Sequence, residues 1–166
     1  MKPLFNLLSS LLILLALTSC DRTISCEGEA SEPQPCQAGP LPFTSLETEY
    51  GCTYTRNLVL DGAPTTSSGI IRTQAEFNQR VSGACHPQID FAKYDLIIGQ
   101  QVLGGGASSS ATYVYQRNCT EAGRILQVTL KMGVTNDLPL VSYHVLVPKL
   151  PATETVKVEV QVLPAP

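Results

Sequence analysis

Six cysteines and two histidines are the residues of this 166-residue chain best suited to chemistry, and their spacing sorts them. Cys20 follows Leu17-Thr18-Ser19 directly. Before it, Lys2 supplies a positive start and Leu7 to Leu17 an apolar core, while Thr18-Ser19 are the small residues of a cleavage site. That order is a secretory signal peptide. A cysteine at the cleavage point matches a bacterial lipobox, in which the thiol is diacylated and becomes the new N-terminus. Residues 1–19 are therefore predicted to be a lipoprotein signal peptide, and Cys20 the lipidation residue. The apolar core is too short to cross a bilayer, which takes ~20 residues.

Cys26, Cys36, Cys52, Cys85 and Cys119 remain as disulfide candidates. An exported chain meets an oxidising compartment, so bridges are expected. The number is odd, so one thiol is left over within the chain. Cys26 and Cys36 enclose a short proline-containing loop and are expected to pair. Cys52 precedes a predicted strand and Cys85 follows a predicted helix, and these two are expected to pair as well. Cys119 could replace either partner; on this reading it is the odd thiol. Metal binding is not expected. There is no C-x-x-C, His86 and His144 lack ligand spacing, and zinc needs about four convergent ligands.

Catalysis has little to work with. A hydrolytic triad needs Ser, His and an acid together, yet no G-x-S-x-G elbow occurs. His144 falls on the polar side of a predicted strand, and His86 lies in a loop before Pro87. Asp90 and Asp95 form a carboxylate pair that reads as turn capping. Gly104-Gly105-Gly106 lacks the following helix and nearby lysine of a phosphate cradle, and reads as a flexible hairpin tip. No catalytic residue and no cofactor are expected. From Tyr50 onward eight acids face nine bases with no basic stripe, so the electrostatic footprint of a nucleic-acid partner is missing.

These residues need elements to position them. Residues 20–49 read as the lipidated cysteine and a tether. They contain Pro33, Pro35, Pro40 and Pro42, and six acids against Arg22 alone. Low hydrophobicity with charge of one sign buries too little to offset chain entropy. Residues 50–166 suffice for one β-rich globular domain. Val156, Val158, Val160 and Val162 alternate with polar residues, as do Leu126, Val128, Leu130 and Met132. So do Val141, Tyr143, Val145 and Val147, with Ser142 and His144 opposite. Period-two alternation predicts half-buried strands. Tyr113 and Tyr115 mark another, Leu96 to Ile98 another, with weaker candidates at 53–61 and 68–72. Short connections predict antiparallel neighbours. Thr73-Gln74-Ala75-Glu76 has capping-box spacing, with Phe77 and Val81 on one face and Ser82-Gly83 at the end. The fold class is mainly β, either α+β or sandwich-like, with antiparallel sheets and one short helix.

The stretch from Cys85-His86-Pro87-Gln88-Ile89-Asp90-Phe91 to Tyr94-Asp95-Leu96-Ile97-Ile98-Gly99 resembles small lipoproteins of Bacteroidota. So do Tyr143 to Leu150 and Tyr50-Gly51-Cys52. The Asp90-Phe91 entry, the glycine-rich connection and Val147-Pro148-Lys149 are also similar, at a greater distance, to the C-terminal domain of PrcB, an accessory of a surface protease complex. Gly104–Gly106 lacks the aromatic residue that domain carries next. The resemblance implies an outer-membrane lipoprotein facing either side. With the absence of a catalytic set, the chain reads as a non-enzymatic, lipid-anchored envelope domain that binds or stabilises a protein partner. A small-ligand or glycan-binding module is the alternative.

Overall fold

A computed structural model describes residues 36–105, 110–119, 123–135 and 137–164. It is strand-rich, with mainly antiparallel sheets and few helices, as the alternating patterns require. β1 (Gly39–Pro40), β6 (Ser110–Arg117), β7 (Arg124–Lys131) and β9 (Lys157–Leu163) form one sheet in that order. β3 (Ser67–Ile71), β5 (Tyr94–Val102) and β8 (Leu140–Pro148) form a second, with β5 in the middle. β2 (Val59–Leu60) and β4 (Val81–Ser82) make a small ribbon. Helices are α1 (Leu46–Tyr50) and α2 (Gln74–Arg80), with a 3-10 turn at Thr55–Asn57.

The β3-β5-β8 sheet has a core on each face. Leu96, Ile98, Ile71 and Leu146 pack with Leu46, Leu58, Leu60 and Phe77 on the helical side. Ile97, Tyr143, Val145 and Val147 pack with Tyr115, Leu126, Val128 and Leu130 of the other sheet. β8 is therefore buried on both faces from Val141 to Val147, not half-buried. This is why Leu96-Ile97-Ile98 is a continuous apolar run, as doubly covered strands are. At Gly99 the cross-strand partner is Tyr143, and a Cβ on Gly99 would lie 2.3 Å from the Tyr143 ring. The glycine lets that ring lie flat over the sheet.

Several expectations are corrected. Residues 36–49 belong to the folded unit, which begins at Cys36, well before the boundary at Tyr50. Leu46 is fully buried there, and Ser45 caps α1 by accepting from Thr48 N–H at 3.2 Å. A hydrophobic anchor set among Glu47 and Glu49 was masked by the composition around it. β9 pairs with β7 in parallel, because the intervening β8 lies in the other sheet. Likewise β5 and β6 belong to different sheets, so the glycine run is a crossover and not a hairpin tip. α2 begins as expected, with Thr73 Oγ1 accepting from Glu76 N–H at 3.1 Å. Glu76 returns to the Arg72 N–H at 3.1 Å, one residue before the capping-box position. Ser82 lies in β4, not at the helix end.

Candidate functional site

β8 is the outer strand of its sheet, and its free side runs along a cleft of about 670 Å³. One wall comes from Ser45 and Glu47 of the α1 region and from Tyr54, Thr55 and Arg56 at the 3-10 turn. The other is Ala111 and Tyr113 of β6; Ser142 and His144 of β8 line the floor. Tyr54 is 73% exposed at the rim and holds φ +56°, a left-handed backbone that costs a non-glycine residue energy. Phe43 packs edge-on to Tyr113 at 6.3 Å and extends the aromatic surface.

His144 is the centre of the site, and it is 4% exposed. Its Nε2 lies 3.1 Å from Glu47 Oε2. Thr55 donates its hydroxyl to the other carboxylate oxygen of Glu47. The His144 Nδ1 is enclosed without a hydrogen-bond partner among the described residues. Burial pushes the imidazole below its ordinary 6.5, and Glu47 only partly opposes this. Burial works against the Glu47 carboxylate too, but hydrogen bonds from Thr55 and Ser45, its own backbone and the His144 charge bring it below its ordinary 4.5. At neutral pH the contact is thus a neutral Nε2–H donating to a carboxylate. A second proton on Nδ1 would be a buried donor with no acceptor, which is costly.

Tyr113 closes the site from the opposite sheet. Its hydroxyl accepts from the His144 backbone N–H at 3.3 Å. Burial pushes its phenol up to about 12, so it stays protonated. Ser142 donates its hydroxyl to Leu58 O, and Ser45 Oγ lies 3.2 Å from Thr48 Oγ1. These hydroxyls serve a carbonyl and a helix cap. General-base catalysis needs a nitrogen lone pair facing the proton to be moved; here Nε2 faces Glu47 and Nδ1 is enclosed. Hydrogen bonds among His144, Glu47, Thr55 and Tyr113 thus fix one side of the cleft.

Both depressed pKa values act on stability in the same direction. Such a group binds fewer protons folded than unfolded, so folding weakens as pH falls. For His144 the loss begins below its ordinary 6.5; for Glu47 it adds below 4.5. Urea unfolding between pH 7 and pH 5 should show falling stability, and His144→Gln should flatten that fall. Equal slopes in the two proteins would rule out His144 as the source.

The other singled-out residues fall elsewhere. Cys52 pairs with Cys85 as expected. Cys36 pairs with Cys119, not with Cys26, because β1 brings Cys36 to the far end of β6. Cys119 is therefore not the odd thiol. Cys20 and Cys26 lie outside the described residues. His86 is exposed, with its ring 4.6 Å from that of Phe77. Asp90 caps a turn, accepting from Ala92 N–H at 3.1 Å. Asp95 does not; it is fully buried between Arg72 and Lys149. His144 is buried rather than on a solvated strand face, since the α1 layer covers its side of β8. Glu47, Thr55 and Tyr113 gave no sequence signal as a group, because they come together only through tertiary packing. Among the described residues no three of His, Cys, Asp and Glu converge as a metal site. None of their helices is long and apolar enough to cross a membrane. No protein-family model, no curated protein and no solved structure matches this chain.

Proposed function

We propose that this chain is a lipid-anchored, non-catalytic domain of the bacterial cell envelope, held on the outer membrane, that binds or stabilises another envelope protein. The observation that carries the reading is the cleft along β8, lined by Ser142, His144, Tyr113 and the exposed Tyr54. Aromatic residues of this kind are enriched at protein contacts. The anchor rests on Cys20 and the residues before it. The resemblance to the PrcB C-terminal domain supports a protease complex as the class of partner.

Photo-cross-linking tests the partner. With p-benzoylphenylalanine at position 54, irradiated membranes should yield one protein adduct. Filling the cleft with Ala111→Trp should abolish it. The second reading, a small polar ligand or glycan, is favoured by the cleft volume of about 670 Å³, since ligand sites run about 300–1,000 Å³. No adduct, with a bound small molecule in native mass spectra, would replace the first reading by the second.

The anchor has its own test. Cys20→Ser should abolish palmitate incorporation and move the protein to the soluble fraction, since acyl chains supply the membrane affinity. An unlabelled variant that still sediments with membranes would reveal another attachment.

A further inference from the structure

We propose that the cleft takes an extended segment of the partner protein as an added strand on the free edge of β8; this rests on the protein-binding reading above. A strand aims successive residues' backbone groups alternately to its two sides. On β8, Leu146 fixes the phase. Its N–H donates to Thr44 O at 2.9 Å, and its C=O accepts from Thr44 N–H at 2.9 Å, away from β5. Two and four residues earlier, His144 and Ser142 aim the same way.

The His144 N–H is taken by the Tyr113 hydroxyl. That leaves the His144 C=O and both backbone groups of Ser142, which have no protein partner among the described residues. Yet the two residues are only 4% and 6% exposed. Enclosed backbone groups are almost always paired. A peptide backbone offers donors and acceptors at the strand repeat of about 3.4 Å per residue and matches all three. A small ligand matches one or two.

The chain itself shows the geometry. Thr44 already forms one antiparallel pair on this edge. At Ser45 the chain caps α1, so its backbone pairing with this edge stops at Thr44, before His144 is reached. A partner segment would continue the line that Thr44 begins. Strand addition of this kind draws affinity from main-chain hydrogen bonds.

The test uses the full chain in lipid nanodiscs and a phage-displayed library of random decapeptides. Selected peptides should bind, and backbone N-methylation should weaken binding about tenfold at alternate positions only. On the protein side, Ser142→Pro removes the outward N–H without touching the β5 ladder. It should bind about tenfold more weakly than Ser142→Ala, which loses only the hydroxyl. If Ser142→Pro fails to fold, the N-methyl scan decides alone. No selected peptide, N-methyl losses without period two, or binding unaffected by Ser142→Pro would overturn strand addition. So would cross-linking of position 54 to a second copy of this chain. Should peptides fail while position 54 still captures a protein, strand addition falls and the protein-binding reading stands. Should both fail, the reading falls too.

Discussion

Cys119→Ser should lower the stability of the domain by about 4.5 kcal/mol, and Cys36→Ser should do the same. The bond spans 83 residues of sequence, and closing so long a loop removes much of the unfolded chain's entropy. That loss is a large share of a domain's net stability of about 5–15 kcal/mol. The structure offers little to compensate. β1 is two residues long, and beyond it Leu41 N–H to Tyr115 O at 2.8 Å is the next tie to β6. Without the bond, the stretch from Cys36 to Leu41 is held to β6 by these few ties alone. Thermal unfolding should show a midpoint lower by on the order of 10–20 °C. The double variant should be no worse than either single one, because the same bond is lost. A variant within about 1 kcal/mol of the parent would contradict the assignment, as would a non-reducing peptide map without the Cys36–Cys119 pair.

Asp95→Asn should cost about 3 kcal/mol. The carboxylate is fully buried at the start of β5. Oδ1 accepts from Lys149 Nζ at 2.6 Å; Oδ2 accepts from Arg72 at 3.2 Å and from the Leu150 N–H at 3.0 Å. Arg72 continues to Pro151 O at 3.2 Å and Glu154 O at 2.7 Å, and the Glu154 side chain pairs with Arg124 of β7. One carboxylate thus anchors a network that links the β5 and β7 ends of the two sheets. Asparagine keeps the shape but turns an NH₂ toward groups that are all donors. Removing one partner of a buried pair costs about 3–5 kcal/mol. The Arg72 and Lys149 side chains are 26% and 40% exposed, which holds the figure at the lower end. Urea denaturation measures it; a loss below about 1 kcal/mol would mean that the network does not depend on the charge.

The strands were legible where one face is polar. Leu126, Val128 and Leu130 alternate cleanly and lie where the period puts them. The same rule misreads β8. There, Ser142 and His144 are polar yet covered, because a helical layer packs on their face. A short polar residue beneath a neighbouring layer gives the same pattern as one beneath water. Pairing order was not legible: β7 and β9 are parallel neighbours because β8 crosses to the other sheet between them. Nor was the site. Glu47 and His144 are 97 residues apart, and Glu47 lies in a stretch whose composition reads as a tether. Leu41 and Leu46, apolar among acids and prolines, are the residues that dock this stretch on the two cores.

The parallel β7–β9 pair also governs the order of events during folding. β9 follows the other described strands in chain order and supplies Val158 and Val160 to the core between the sheets. That core cannot be completed until β9 has joined β7. Contacts between distant residues dominate such a topology, and topologies of that kind fold slowly. A truncation that removes β9 leaves one flank of β7 unpaired and part of the inter-sheet core open, an aggregation hazard.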